Sequence, residues 1–405
     1  MVDIEHLYSE RAGKMRKSEI RELLRLTQDP EVISFAGGLP NPLSFPIKEL
    51  QGITNTMLER YGKNALQYGP THGINELRET IAERARKEGI QIGFDNVIIT
   101  SGSQQSLDMV AKMFTNPGDV PIVALPTYLG GINAFRSYEA NLVGVPIDHQ
   151  GMKMDLLEEK IRSLKAEGHT IKVVYAVPNF QNPDGTVMPE NRRKQLVDLA
   201  CEYDFVILED DPYGKLRYDG APQRPIKAFD DEGRVIYIST FSKILAPGFR
   251  LAWMIADESI IRKMAICKQA LDLCTAPFTQ YLANAFIQTG SLDLHIMKIC
   301  EMYKPKRDIM MDSMKEFFPE GYECWRPHGG MFAWVTLPHE IDTEVLFLDA
   351  IKEKVAYVHG KAFCVDGGGG SSMRLNFSYA SNEQLRTGMQ RLGSVIEKRM
   401  KLVCK

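Results

Sequence analysis

No stretch of this 405-residue chain approaches the run of about 20 apolar residues that a helix needs to cross a bilayer. There is no basic excess either: 49 Lys and Arg stand against 52 Asp and Glu, a formal net charge of −3. Nucleic acid and anionic membrane are therefore not expected as the main partner. Cysteine is sparse and unpatterned: Cys201, Cys267, Cys274, Cys300, Cys324, Cys364 and Cys404 form no CxxC pair, so reduced thiols are expected rather than a disulfide framework. The eight histidines do not fall at zinc spacings near them, so no metal site is expected. The opening segment, MVDIEHLYSERAGKMRKSEIRELL, carries charges throughout and no apolar secretory core. A cytoplasmic protein acting on small molecules is the expectation.

What is present is an average globular composition, 44% hydrophobic and 25% charged, in a chain too long for the usual single core. Two packed domains are expected. From about Asn96 to Ala256 short β-branched runs alternate with loops and helical patterns, the signature of an α/β fold. Val97–Thr100, Ile122–Leu125, Leu142–Val145, Lys172–Val177, Phe205–Leu208, Val235–Ser239 and Leu251–Ile255 read as strands. Most lack polar alternation, as strands covered on both faces do, so the sheet is expected to be mostly parallel. Pro189–Tyr203 reads as a crossover helix. Long helical stretches after Asp257, then short strands from Tyr322, suggest a smaller α+β domain. The chain is thus divided into an arm with a helix over Ser18–Leu26 (1–45), a large α/β domain (46–290) and a small C-terminal domain (291–405). Gly367–Gly370 reads as a flexible loop.

Ligands of open α/β sheets bind beyond the carboxyl ends of the strands. Four chemically loaded segments follow predicted strands there. Ser101–Gln104 puts small polar residues where a helix begins, so free amides and hydroxyls could hold a phosphate, although an ordinary Ser cap reads equally well in isolation. Pro178–Pro183 offers amide side chains within a turn. Glu209–Tyr213 gathers three carboxylates at the end of an apolar strand, which calls for a cationic partner: a pyridinium nitrogen, or a metal as the rival. Thr240–Arg250 combines hydroxyls, the Lys243 amine and a guanidinium among apolar neighbours, suiting a reactive lysine beside a phosphate monoester.

These residues resemble the fold-type-I aminotransferases of class I/II, in particular the aminoadipate, kynurenine and multisubstrate branch. SFAGGLPNPLSFP, LQYGPTHGINELRE, TSGSQQSLD, PNFQNPDG, EDDPYG, TFSKILAPGFRLAW, RPHGGMFAW and MRLNFSYA follow that branch's motifs in order along nearly the whole chain. The resemblance implies a seven-stranded-type, mostly parallel sheet in the large domain, and pyridoxal 5′-phosphate as cofactor. It implies that Lys243 carries the cofactor as a Schiff base and serves as general base and acid, and that Asp210 pairs with the pyridine nitrogen. Asn182 and Tyr213 are implied at the phenolic oxygen and Tyr128 on the ring. The phosphate is implied on Ser103, Gln104, Thr240, Ser242 and Arg250, with Tyr68 reaching in from a second subunit of a homodimer. Thr240 stands where many relatives have Ser, and either hydroxyl donates. Arg374, with Gly38 and Asn182, is implied at the substrate, its guanidinium clamping the α-carboxylate.

The expected reaction moves an amino group between glutamate, 2-aminoadipate, aromatic or branched aliphatic amino acids and a 2-oxo acid such as 2-oxoglutarate, with ping-pong kinetics. Arg21 lies where relatives place an arginine that meets a distal carboxylate, although a solvated helix face reads almost equally well. Ser34–Leu39 and Pro327–Met331 are expected to line the pocket, since their glycines permit close backbone approach. A carbon–sulfur lyase or decarboxylase on the same scaffold is the alternative. A non-catalytic regulator ranks lowest, since only about forty residues precede the family core, too few for a DNA-binding domain.

Overall fold

The computed structural model describes residues 4–14 and 29–403. The helix expected over Ser18–Leu26, with Arg21 on it, lies outside the described residues. Among the described residues, fourteen strands and the helices between them arrange around two main sheets, with a short two-stranded piece. In chain order the strands are β1 (Ile33–Ser34), β2 (Val97–Thr100), β3 (Ile122–Leu125), β4 (Val143–Asp148), β5 (Gly151–Met152), β6 (Val173–Ala176), β7 (Val206–Asp210), β8 (Val235–Thr240), β9 (Ala252–Ile255), β10 (Glu323–Cys324), β11 (Phe332–Thr336), β12 (Val355–Ala356), β13 (Val358–His359) and β14 (Ser372–Asn376).

The large sheet has the order β2-β9-β8-β7-β6-β3-β4-β5. Strands β8, β7, β6, β3 and β4 pair in parallel, and β9 runs antiparallel between β8 and β2. Both faces are covered, and the period of two shows how. Ile122, Val174 and Ile207 pack with the helices Met154–Ala166 and Glu190–Tyr203 on one side. Val123, Tyr175 and Leu208 pack with Ser103–Phe114 and Glu258–Leu271 on the other. The expected runs are therefore strands, with two differences. An eighth strand, β5, folds back as a hairpin on a β4 that continues to Asp148. β7 continues to Asp210, so this carboxylate belongs to the strand and not to the loop after it.

Because β2 and β8 both run opposite to β9, the carboxyl ends of β2, β3, β6, β7 and β8 share one edge of the sheet. That edge carries all four loaded segments and the turn Pro126–Tyr128.

The second sheet, β10-β11-β14-β13, is antiparallel. It is packed by the helices Thr343–Lys352 and Asn382–Val403 through Val335, Leu346, Leu375, Leu385 and Met389. The 27-residue helix Ser291–Phe317 belongs to both cores. Its first half buries Leu292, Ile299 and Tyr303 against the large sheet's core, and its second half buries Met310, Met311 and Met314 in the other. The arm is tied down: β1 pairs in parallel with β12, and the Asn41 side-chain amide donates to the Ser378 and Tyr379 carbonyls at 3.2 Å each. Gly367–Gly370 departs from a flexible loop. Ser372 donates to the Gly369 carbonyl, and the Thr343 amide and hydroxyl both donate to that of Gly370, so the segment is a hydrogen-bonded turn.

Candidate active site

The end of β7 shows how one strand separates three carboxylates. Alternation sends Asp210 to the opposite face from Glu209 and Asp211. Glu209 accepts from the Ile226 and Lys227 amides at 2.8 Å each. Asp211 accepts from Asn179 Nδ2 at 3.0 Å, the Gly214 amide at 3.0 Å and the Tyr237 hydroxyl at 3.3 Å. The three do not converge on a common point, which removes the metal reading of the cluster. Asp210, 2% exposed, accepts from the Tyr175 hydroxyl through Oδ2 at 2.8 Å, while its buried Oδ1 has no partner. Burial raises its carboxyl to about 7; the Tyr175 hydrogen bond opposes the rise and the Asp211 charge adds to it.

Asp210 lines a cavity of about 270 Å³ whose other walls include Gly38, Ser103, Gln104, Tyr128, Asn182, Tyr213, Thr240, Ser242, Lys243, Arg250 and Arg374. Lys243 lies in the turn after β8, half-buried among apolar Phe241, Ile244 and Leu245. Its Nζ donates to the Gly38 carbonyl at 2.9 Å. Burial, then the positive charges of Arg374 and Arg250, bring its amine down to about 8, so a neutral nucleophile is accessible near neutral pH.

The rim of the cavity is built for an anion. Ser103 and Gln104 open a 12-residue helix whose first amides are free. Thr240 accepts from the Ser242 amide at 3.1 Å. Arg250, exposed and in the left-handed region at φ 47°, forms no ion pair among the described residues, and its guanidinium donates there only to the Pro247 carbonyl at 3.4 Å. Gly102 makes its position possible. At φ 91° glycine is the ordinary choice, and a Cβ there would lie 2.5 Å from Arg250 Nη2.

Arg374, on β14, is 2% exposed and forms no ion pair among the described residues. It donates to Asn182 Oδ1 at 2.9 Å and to the Ala36 carbonyl at 2.6 Å, and its Nε has no partner. The guanidinium lies 4.3 Å from the Phe332 ring centre and 5.0 Å from that of Phe363. Burial lowers its pKa to about 10, so it remains a cation. Tyr213 meets Phe332 edge-on, and burial raises its phenol above the ordinary range, with Asn182 opposing.

Of the individual residues given a role at the cofactor or substrate in the sequence, all but Tyr68 and Arg21 line this one cavity, and of Ser34–Leu39 only Gly38 does. Tyr68 stands outside it, 79% exposed. Arg21 lies outside the described residues. Pro327–Met331 does not reach the walls; from that stretch onward Phe332 is the first to do so. Gly329 and Gly330 instead press on Phe180: a Cβ on Gly329 would come within 2.4 Å of its ring, and one on Gly330 within 2.6 Å of its Cβ. They back the turn that carries Asn182. Sequence reasoning missed Tyr175, Phe332 and Phe363. The available signal for Tyr175 was a single hydroxyl inside the apolar run VVYAV, on a strand next to the one bearing Asp210.

The family model for aminotransferases of class I and II matches residues 46–392. The aromatic-amino-acid aminotransferase 1 of Thermococcus litoralis is 50% identical over 401 residues, 99% of this chain and 96% of the relative. The 2-aminoadipate transaminase of Thermus thermophilus is 35% identical over 395 residues, 97% of each chain. Among solved structures, a Pyrococcus horikoshii kynurenine aminotransferase, crystallised with PMP and kynurenine, superposes with a TM-score of 0.95 at 50% identity, covering 98% of each chain.

Proposed function

This chain belongs to the class I and II aminotransferases and moves amino groups between amino acids and 2-oxo acids with pyridoxal 5′-phosphate; from that premise we propose which residues carry the reaction and which substrates it takes. The observation that carries the assignment is a pair of buried, unsatisfied atoms in the wall of one cavity: Oδ1 of Asp210 and Nε of Arg374, an unpartnered acceptor and an unpartnered donor. Buried polar atoms without partners are rare in native folds and ask for a ligand. A protonated pyridine suits the first and an amino-acid carboxylate the second. The rim, with helix amides, hydroxyls and a free guanidinium, suits a phosphate. The residues present therefore fit the cofactor.

Bound pyridoxal phosphate supplies an electron sink that lets an amino acid release its α-proton. Asp210 holds a proton at the ring nitrogen. Tyr213 and the amide nitrogen of Asn182, whose Oδ1 serves Arg374, would donate to the phenolic oxygen. Tyr128 covers the ring, and Ser103, Gln104, Thr240, Ser242 and Arg250 hold the phosphate. Arg374, stiffened by Asn182, Ala36 and two phenyl rings, orients the substrate carboxylate. Lys243 Nζ would take the proton from the substrate α-carbon and deliver it to the cofactor's C4′ carbon, a role suited to an amine titrating near 8. Tyr68, exposed beside an equally exposed Leu66, is free to complete the site of a second copy in a homodimer.

Among the described residues the cavity's cations are Lys243, Arg250 and Arg374. With the last two assigned to phosphate and α-carboxylate, the remaining described walls offer Gly38, Val177, Pro212, Pro247 and Phe332 to the substrate side chain. Aromatic donors suit these walls. Acidic donors need a further cation, and Arg21 is our candidate. A half-reaction screen tests this: one amino acid at a time is added to the enzyme while the cofactor's visible band converts to a near-ultraviolet band. Phenylalanine, tyrosine and glutamate should convert it and 2-oxoglutarate regenerate it, and Arg21→Ala should slow the acidic donors far more than the aromatic ones. No conversion by any amino acid overturns the aminotransfer assignment, and equal slowing of both classes overturns the role of Arg21.

A further inference from the structure

Asp210 is gripped on one oxygen only. The Tyr175 hydroxyl donates to Oδ2 at 2.8 Å, both residues are buried, and Oδ1 is unpartnered. The two oxygens of a carboxylate exchange by rotation about the Cβ–Cγ bond, so one fixed donor decides which of them is left over. Tyr175 is itself fixed. It stands on β6, the parallel neighbour of β7, and meets Phe135 edge-on at 6.5 Å. Its ring also lies against Gly131, where a Cβ would come within 2.6 Å of it. Gly130 does the same for Tyr128, where a Cβ would come within 2.5 Å of that ring. Two consecutive glycines in the first turn of the helix Leu129–Arg136 thus leave room for two tyrosine rings, one of which lines the cavity and one of which holds Asp210.

We propose that Tyr175 is a positioning residue for amino transfer: by occupying Oδ2 of Asp210 its hydroxyl presents Oδ1 to the cofactor's pyridine nitrogen. The proposal rests on the assignment of Asp210 as the partner of that nitrogen. Burial holds the Tyr175 phenol well above its ordinary value, so it remains a donor at any working pH. Its hydrogen bond also counteracts the burial and the Asp211 charge that push the Asp210 carboxyl up, favouring the ionised form that a pyridinium needs.

The test measures cofactor capture rather than turnover. Cofactor-free wild type, Tyr175→Phe, Asp210→Asn and the double variant are titrated with pyridoxal 5′-phosphate and with its 1-deaza analogue, whose ring nitrogen is replaced by C–H. Tyr175→Phe should weaken capture of pyridoxal phosphate roughly tenfold to hundredfold, as expected for loss of a hydrogen bond to a charged group, and leave the deaza analogue within about twofold. Adding Tyr175→Phe to Asp210→Asn should then weaken capture no further. Equal weakening of both ligands would mean a merely structural tyrosine and overturn the proposal, as would no change in either. If Asp210→Asn itself captures pyridoxal phosphate like wild type, the Asp210 assignment fails and Tyr175 falls with it. If Asp210→Asn loses capture while Tyr175→Phe does not, the proposal for Tyr175 fails alone.

Discussion

Asp210 and Arg374 are each 2% exposed, carry opposite charges without an ion-pair partner among the described residues, and stand on strands of different sheets. Arg250, on the same cavity, is exposed in a turn, where water screens its charge. The buried pair forms a floor held by hydrogen bonds to Tyr175, Asn182 and Ala36, with one atom of each charged group left unpartnered. The rim is open and built from backbone amides and hydroxyls. Desolvated groups act strongly and carry shifted pKa values, whereas solvated ones can be exchanged at small cost. Substitutions at the floor should therefore alter chemistry and stability, and conservative ones at the rim should alter little.

Lys243 tests the contrast most severely, because it is half-buried between the two kinds of environment. Lys243→Ala removes the group proposed to transfer the proton. Exchange of the substrate α-proton with deuterium, followed by NMR, should slow by roughly 10⁴-fold, the upper range for a positioned acid–base. Wild-type exchange in that variant would mean that some other residue moves the proton.

The next largest effect separates the two buried charges from each other. In the cofactor-free protein, burial raises the Asp210 carboxyl from 3.8 to about 7. A raised carboxyl binds more protons folded than unfolded, so folded stability falls as pH rises from about 4 to 7 and the full penalty stands above that. Asp210→Asn, which mimics the neutral acid, should leave stability unchanged near pH 4 and raise it by up to roughly 4 kcal/mol at pH 8, about 1.4 kcal/mol for each tenfold change in proton affinity. Arg374, with its pKa lowered to about 10, is charged in both states below about 9. The effect of Arg374→Leu on stability, of whichever sign, should be flat over the same range. Denaturant unfolding of both variants from pH 4 to 8 measures this. A flat Asp210→Asn curve would mean that burial does not penalise the carboxylate.

The same contrast explains how much was legible in the sequence. Rim groups sit in loops at strand ends, where Gly, Ser, Thr, Lys and Arg break the apolar pattern, so Ser103, Thr240, Ser242, Lys243 and Arg250 could be read as a set from the sequence alone. Three carboxylates closing an apolar run made the end of β7 conspicuous, and the family motif singled out Asp210 among them; only its position, inside β7 and not after it, was misjudged. The supports of the floor were not legible. Tyr175 reaches Asp210 across a strand pairing, and which face it takes depends on register, which no local pattern states. Phe332 and Phe363 reach Arg374 from β11 and from the turn before β14, contacts that exist only once the second sheet has formed. Gly329 and Gly330 were rightly read as sites of close approach, but what approaches is the Phe180 side chain and not a ligand.

The smallest predicted effect marks where rim becomes floor. Thr240 is neutral but 2% exposed, and its hydroxyl accepts from the Ser242 amide while standing 2.9 Å from Ser242 Oγ and 3.2 Å from the Leu251 carbonyl. Thr240→Ser keeps every one of these contacts and removes one buried methyl, about 1 kcal/mol of stability. Affinity for pyridoxal phosphate should therefore change by less than about threefold, whereas Thr240→Val, which keeps the shape and loses the hydroxyl, should weaken it roughly tenfold. Titration of the cofactor-free variants distinguishes the two. If Ser weakened binding and Val did not, the methyl's packing against the floor, and not the hydroxyl, would be what this position contributes, and the boundary between the two regions would have to move outward to Ser242.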